Sequence, residues 1–272
     1  MLAYKYKEAK VDWNEKVYIQ PKLDGVRCLI SKDGAYSRTG KEFMNVEHIK
    51  EGLKEFFKAC PWAILDGELY NHELKDDFEK IISLVRKQKP TDQHREDAKK
   101  MMQYHVYDYI SDSYQDYKIR MNNLVASDIY CYCIKYVDTK RVATPAMSKV
   151  IHQENLDKGF EGSILRTDTP YKHGRSFGLM KFKDFSDAEA NIVNYEEGKG
   201  KRAGTLGKFI MQDDDGNIFG CPPGKGYKYS DLKCMLENIH KYMGQRATFT
   251  YFQRTNAGSY RHPLFKGLRN YE

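Results

Sequence analysis

The chain has 272 residues, with 45 Lys or Arg against 38 Asp or Glu and a formal net charge of +7. Apolar residues make up 40% and charged residues 31%, the balance of a globular chain long enough for two hydrophobic cores. No apolar stretch reaches membrane-spanning length, and the start, Met1 to Glu8, lacks the hydrophobic segment of a signal peptide, so neither a membrane-embedded nor an exported protein is expected.

Residues 1–19 read as a short lead-in with a first strand at 17–19. The octapeptide Gln20-Pro21-Lys22-Leu23-Asp24-Gly25-Val26-Arg27 follows, flanked by apolar residues, and is expected at a bend between two strands. It gathers an amine, a carboxylate, a glycine and a guanidinium, a set suited to phosphate chemistry. An amine nucleophile must shed its proton, and an unperturbed Lys has a pKa of about 10.4. Nearby cations and partial desolvation lower that value, and Arg27 is the first candidate neighbour. Gly25 is expected to let backbone and ligand approach closely. Taken alone, the string also fits a hairpin turn with solvated charges.

A strand at 26–31 turns at Asp33-Gly34 and returns through 35–38. Apolar spacing predicts a helix over 46–59, and a buried strand at 62–70 is interrupted by Asp66-Gly67-Glu68. An amphipathic helix at 77–87 precedes a polar, mobile segment at 89–100. Then come an aromatic-rich strand at 103–110, a helix at 115–125, a strand at 129–137 and a helix at 148–158 closed by Gly159. Strands at 162–166 and 178–182 complete an α+β domain over 1–186. Beyond it, strands at 190–195, 204–212, 216–221 and 247–253, with one helix near 230–242, suit a small β-barrel of the oligonucleotide-binding type over 187–272.

The six cysteines include no Cys-x-x-Cys pair; Cys131 and Cys133 are expected on one face of a strand, as reduced, small apolar residues. Two basic stretches contain no acid. One, Gly198 to Lys208, holds Lys199, Lys201, Arg202 and Lys208 among four glycines; the other runs from Arg246 to Tyr271, with Arg269 near its end. Both suit a phosphate backbone, and either alone also fits a solvated surface.

Four later strings carry chemistry. Asp66-Gly67-Glu68 and Glu161-Gly162 each set a carboxylate beside a glycine, a fit for a ribose hydroxyl or a metal-bound water. Lys181-Phe182-Lys183 alternates, so both amines face one side of a strand, and Tyr107 before Asp108 offers a ring for stacking on a base.

In this order the strings resemble the minimal ATP-dependent DNA ligases of viruses and phages, within the covalent nucleotidyltransferase superfamily. The resemblance covers nearly the whole chain. It rests on Lys22-Leu23-Asp24-Gly25-Val26-Arg27, Ser37-Arg38-Thr39, Asp66-Gly67-Glu68, Tyr107-Asp108, Glu161-Gly162, Lys181-Phe182-Lys183 and, as in viral ligases, Tyr171 to Ser176. It implies an ATP-grasp-like nucleotidyltransferase domain followed by an OB-fold barrel. It also implies sealing of 3′-OH/5′-phosphate nicks in duplex DNA, in replication, repair or recombination, through a lysyl-AMP and a DNA-adenylate.

Under this resemblance Lys22 is the nucleophile, oriented by Asp24, and Lys181 and Lys183 neutralise phosphate charge. Tyr107 stacks on adenine, Glu68 holds the ribose, and Glu161 with Glu68 binds Mg²⁺, for which Mn²⁺ can substitute. Arg27 and Arg38 hold the ribose face and the nick phosphate; Arg175, Lys199, Lys201, Arg202 and Arg269 meet DNA. The implied protein is a monomer without obligate protein partner, in the cytoplasm or, if viral, the host-cell interior. The Arg-x-Asp-Lys string of cellular ligases has no full counterpart in Pro263 to Glu272, where the Arg is present and the Lys absent, so the group orienting pyrophosphate stays open. An RNA ligase or mRNA-capping guanylyltransferase shares the Lys-x-Asp-Gly chemistry, and a non-catalytic nucleic-acid-binding relative is the remaining alternative.

Overall fold

The computed structural model describes residues 1–110, 114–127, 129, 131–255 and 258–269. Tyr130 of the expected strand 129–137 and the tail residues Asn270, Tyr271 and Glu272 lie outside the described residues. The chain divides into two compact units, Met1–Lys183 and Asp184–Glu272. Among the described residues no helix is long and apolar enough to cross a membrane.

The first unit holds two five-stranded sheets. One runs, in order, β1 (Leu2–Lys5), β10 (Arg175–Phe182), β9 (Ser163–Thr167), β2 (Val17–Pro21) and β8 (Lys140–Val142). The other runs β4 (Gly34–Tyr36), β3 (Val26–Ser31), β5 (Ile64–Tyr70), β6 (Gln103–Ile110) and β7 (Ile134–Tyr136). Pairings are antiparallel except β1 with β10 and β6 with β7.

Helices cover each sheet. Ile49 of α1 (Glu47–Gly52), Phe56 and Phe57 of α2 (Lys54–Ala59) and Ile81 and Leu84 of α3 (Phe78–Val85) pack on the second sheet. Ala98 of α4 (Asp92–Met101) and Leu124 of α5 (Tyr117–Ala126) join the same core. On the first sheet, Ile151 of α6 (Pro145–Asp157) meets Val17, Ile19, Leu165 and Met180. Each such fully buried aliphatic side chain contributes roughly 1.5–3 kcal/mol.

Five expectations change. The helix over 46–59 breaks at Leu53 because Gly52, a poor helix former, ends α1. The polar segment 89–100 is largely α4, not a mobile loop. Thr91 caps it, accepting from His94 N at 3.3 Å, while His94 Nδ1 accepts from Thr91 N at 3.1 Å. One buried residue, Ala98, leaves almost no apolar stripe to read. Strand β5 runs straight through Asp66-Gly67-Glu68, and only its register with β6 slips there, a bulge rather than an interruption. Within the lead-in, β1 adds an edge strand to the first sheet, and the strand at 129–137 shrinks to β7 after a turn at Tyr132-Cys133.

The second unit is an antiparallel sheet in the order β13 (Ile218–Cys221), β12 (Leu206–Gln212), β11 (Ser186–Glu197), β14 (Arg246–Tyr251) and β17 (Leu264–Leu268). A two-residue-strand hairpin, β15 (Gln253–Arg254) with β16 (Tyr260–Arg261), projects after β14. Phe209, Phe219, Phe249 and Phe265 fill its interior with Leu232 and Met235 of α7 (Tyr229–Glu237). The sheet curls back on itself, since Phe265 N donates to Pro222 O at 2.9 Å and Gly224 N donates to Phe265 O at 3.0 Å. This is the OB type of architecture, joined across its edge by a single bridge rather than a full ladder.

Candidate active site

The octapeptide is the crossing between the two sheets: its first residues end β2 and its last begin β3. Gly25 is required there, because a side-chain carbon at that position would meet Leu69 O at 2.5 Å and Glu68 Cγ at 2.7 Å. The close approach is thus to β5 itself.

The β2–β9 ladder pairs Pro21 with Ser163 and continues past both strands. Lys22 N donates to Gly162 O at 2.9 Å, and Glu161 N donates to Lys22 O at 3.0 Å. Main-chain pairing therefore sets Lys22 beside Glu161. The Glu161 carboxylate accepts from the Lys22 ammonium on one oxygen and from the Lys183 ammonium on the other. Its side chain is 5% exposed, against 22% for Lys22 and 14% for Lys183, so the anion sits beneath two cations that reach solvent.

Strand β10 supplies the paired lysines. Lys181 lies opposite Ile164, exposed, and Lys183 follows the strand end. Between them, Phe182 is sandwiched by Tyr6, 4.4 Å away between ring centroids, and His152, 3.7 Å away. His152 Nδ1 lies 3.0 Å from Ser163 Oγ, which fastens the stack to the strand following Glu161-Gly162. Each such stacked pair contributes ~0.5–1.5 kcal/mol beyond its buried area.

From the facing sheet, Arg27 of β3 pairs with Glu68 of β5, and Glu68 with His105 of β6. Two residues on, the Tyr107 hydroxyl lies 3.5 Å from Glu68 Oε2. Arg27, Glu68 and Tyr107, together with Lys22, Met1 and Arg166, line a cleft of about 160 Å³ between the sheets. Small-molecule pockets commonly reach roughly 300–1,000 Å³, so this cleft alone is smaller than the usual ligand site. Two larger surface hollows, of about 410 and 500 Å³, lie at α1 and α2 and at α1 and α4, away from these groups.

Burial pushes the Glu68 carboxyl up to about 8, with the nearby Lys22 opposing and Asp66 and Asp24 adding to the rise. The carboxyl thus holds its proton more tightly than an ordinary glutamate does. Burial also holds the Tyr107 hydroxyl well above its ordinary value, so it stays neutral.

The Arg27 guanidinium, which also lines the cleft, is held in a clamp of its own. Its Nε and Nη2 donate to Asp66 Oδ1 and Oδ2 at 2.9 and 2.7 Å, and Nη1 donates to Met1 O at 2.6 Å. Tyr171 donates to Asp66 Oδ2 at 2.8 Å and closes the clamp. Burial works against the Arg27 charge, but Asp66 overrides it and holds the group above its ordinary value. The reason is diagonal: Asp66 lies opposite Leu29, two residues along the β3–β5 ladder from the Arg27 position. Arg27 thus fixes the cleft wall, while Glu161 holds Lys22.

Beneath the cleft lies a network that no local string announced. Asp108 of β6 accepts from Arg166 Nη1 at 2.8 Å and from Arg120 Nε at 2.9 Å, with all three side chains at most 4% exposed. Arg166 Nε also donates to Gln20 Oε1 at 2.7 Å, and Gln20 Nε2 donates to the Tyr117 hydroxyl at 2.9 Å. The Arg166 guanidinium lies 5.4 Å from the centre of the Tyr107 ring. Arg166 and Gln20 belong to the first sheet and Asp108 to the second, so this network pins the sheets together. The available signal was a charged residue inside apolar strand patterns, Asp108 among tyrosines and Arg166 after Ile164-Leu165.

Other site candidates are spread more widely. Asp24 is half-buried in the crossing, and Arg38 is exposed in the turn after β4. Arg175 is exposed at the start of β10, 5.5 Å from the centre of the Tyr4 ring. In the second unit, Lys199, Lys201 and Arg202 are exposed at a 3-10 turn, Gly200–Arg202, and Arg269 is ion-paired with Glu189 at 2.8 Å. Among the described residues no group of three or more His, Cys, Asp or Glu side chains is placed to hold a metal alone. Glu68 and Glu161, when ionised, would offer hard oxygen donors of the kind that suits Mg²⁺.

Residues 1–183 match the ATP dependent DNA ligase domain, and residues 197–269 match the DNA ligase OB-like domain. The chain is 28% identical over 205 residues to a DNA ligase of African swine fever virus (isolate Tick/South Africa/Pretoriuskop Pr4/1996), an alignment covering 69% of this chain and 46% of the relative. It therefore spans about half the length of the curated relatives it matches. A Lig E DNA ligase, described as binding DNA with a minimal scaffold, has the same fold, with a TM-score of 0.82 and 24% identity over 99% of this chain and 98% of that one. The adenylated Chlorella virus DNA ligase gives a TM-score of 0.53 at 24% identity, covering 100% and 98% of the two chains. Bacteriophage T7 ATP-dependent DNA ligase, in complex with ATP, gives 0.54 at 20% identity, covering 98% of each. With the family domain matched over 183 of its 272 residues, this chain belongs to the ATP-dependent DNA ligase domain family.

Proposed function

We propose that the protein is an ATP-dependent DNA ligase that joins the 3′-OH and 5′-phosphate ends of a nick in duplex DNA through a lysyl-AMP intermediate. The observation that carries this reading is the Lys22–Glu161–Lys183 cluster at the mouth of a cleft lined by Glu68 and Tyr107. It offers one nucleophilic amine, a second amine for phosphate charge and a slot for a base and ribose.

In the first step Lys22 leaves Glu161, loses a proton and attacks the α-phosphorus of ATP. A P–N bond forms, the α–β P–O bond breaks, and pyrophosphate departs. Lys183, released from the same carboxylate, and Lys181 face the phosphate oxygens and stabilise their growing charge. Tyr107 stacks on adenine with Arg166 behind it, and Glu68 hydrogen-bonds the ribose. Glu161, with Glu68 once it has lost its proton, would hold Mg²⁺, which would supply further charge neutralisation at the phosphates. The nick 5′-phosphate then displaces Lys22 from the adenylate phosphorus, and the 3′-hydroxyl next displaces AMP. Positioning and fixed charge carry such transfers.

Nick and ribose binding is assigned to Arg27 and Arg38, and DNA contact to Arg175, Lys199, Lys201, Arg202 and Arg269, which all offer cationic side chains, Arg269 after release from Glu189. The same reading has the protein acting as a monomer without obligate partner, within the compartment where it is made.

The test is incubation with α-labelled ATP and Mg²⁺, then denaturing electrophoresis and a chase with nicked DNA. An acid-labile, base-stable label that is chased into sealed DNA supports the reading. Label from GTP instead of ATP would reassign the protein to RNA capping, and a chase by nicked RNA alone would make it an RNA ligase.

A further inference from the structure

Cys131 and Cys133 stand apart from the site above. The segment is a turn, with Ile134 N donating to Cys131 O at 3.1 Å, and it turns both thiols to one side, Sγ to Sγ 3.0 Å. They lie under the end of α1 at Gly52, where a side-chain carbon would meet Cys131 Sγ at 2.5 Å and Cys133 Sγ at 3.5 Å. The absence of a side chain at Gly52 is what makes room for the pair. Cys131 is partly exposed and borders the groove of about 500 Å³ at α1 and α4, whereas Cys133 is buried. Burial and the adjoining Cys131 push the Cys133 thiol up to about 12.

We propose that Cys131 and Cys133 form a redox-active dithiol that reduces small disulfides such as oxidised glutathione and closes to an internal disulfide. An S–S bond is about 2.03–2.05 Å long, so the sulfurs need to close by only ~1 Å from their present separation. The accessible Cys131 thiolate attacks one sulfur of oxidised glutathione, forming a mixed disulfide and releasing one glutathione. Cys133 then loses its proton and attacks the Cys131 sulfur, expelling the second glutathione. Two protein thiols become one disulfide, and one oxidised glutathione becomes two reduced molecules. Groove walls carry both Arg95 and Lys99 and Glu47, Glu51 and Glu96, so access rather than charge selects the attacked disulfide. The turn also feeds the sheet, since Tyr104 N donates to Cys133 O at 2.7 Å on the strand that carries Tyr107.

The test equilibrates the full chain with mixtures of reduced and oxidised glutathione, alkylates remaining thiols and maps the peptides by mass. The expected result is the loss of two alkylation sites, both in the Cys131–Cys133 peptide, with no glutathione attached and full recovery on reduction. In Cys133→Ser the closing step is gone, and Cys131 should accumulate as a glutathione adduct; in Cys131→Ser, Cys133 should stay alkylatable. A wild-type glutathione adduct at Cys131, a disulfide to Cys60, or retention of both thiols while exposed Cys234 reacts would each overturn the proposal. The wild-type map decides the matter even if a serine variant folds poorly.

Discussion

The mouth and the floor of the cleft use opposite strategies with similar charges. At the mouth, one carboxylate, Glu161, is shared by two lysines that reach solvent. At the floor, one carboxylate, Asp108, is shared by two arginines that do not. Lysine is a point charge on a flexible stem and changes partners readily, whereas the guanidinium fork locks a geometry with several fixed donors. The first arrangement suits an amine that must leave its partner to react. The second suits a joint between sheets that must not move. What separates chemistry from scaffold here is exposure and the kind of cation, not the presence of an ion pair.

The contrast can be broken most sharply at Lys22. Lys22→Ala should abolish the covalent adenylate altogether, with thermal unfolding nearly unchanged, because its ammonium contributes little as a partly exposed partner of Glu161. Lys22→Arg should fail equally, since a guanidinium does not give up its proton; electrophoresis of labelled protein reads both. Asp108→Ala should act first on stability. It leaves Arg120 and Arg166 buried without their carboxylate, a loss of about 3–5 kcal/mol measurable by urea unfolding.

A smaller effect is expected at the ring stack. Phe182→Leu removes two stacked contacts, at about 0.5–1.5 kcal/mol each, and loosens the strand between Lys181 and Lys183. Adenylation rate should fall while disulfide closure at the Cys131–Cys133 dithiol is unchanged. Equal adenylation rates in the variant and wild type would remove Phe182 from the positioning of the lysines.

The subtlest effect lies at Glu68. Burial holds its folded carboxyl at about 8 against an ordinary 4.5. The folded chain therefore carries an extra proton between those values, and the corresponding stability is fully present below pH 4.5 and lost as pH rises through 8. Glu68→Gln should flatten that part of the stability profile, so that the variant gains on wild type as pH rises. Parallel profiles from chemical unfolding between pH 5 and about 9 would show that the carboxyl is not held protonated in the folded state.

The mouth was largely legible in the sequence and the floor was not. Lys22, Glu161 and Lys183 each sit in a short polar string at a strand end, where glycine and charge break the apolar pattern. Gln20, Asp108, Arg120 and Arg166 become neighbours only when two sheets meet, and single-strand periodicity gives no view of that. Arg27 is legible in part: the octapeptide shows its nearness to Lys22, and only the strand ladder shows that its fork pairs with Asp66. Likewise α4 escaped notice because capping by Thr91 and one buried alanine, not an apolar face, define it.

The most direct measurement is the position of the covalent nucleotide. Protein incubated with ATP and Mg²⁺, digested under conditions that preserve the P–N bond and sequenced by mass spectrometry, should carry AMP on Lys22 alone. AMP on Lys181, Lys183 or any other lysine, or an unmodified Lys22 in a sample first cleared with pyrophosphate and then recharged with ATP, would contradict the assignment of the exchangeable Glu161 partner as the nucleophile.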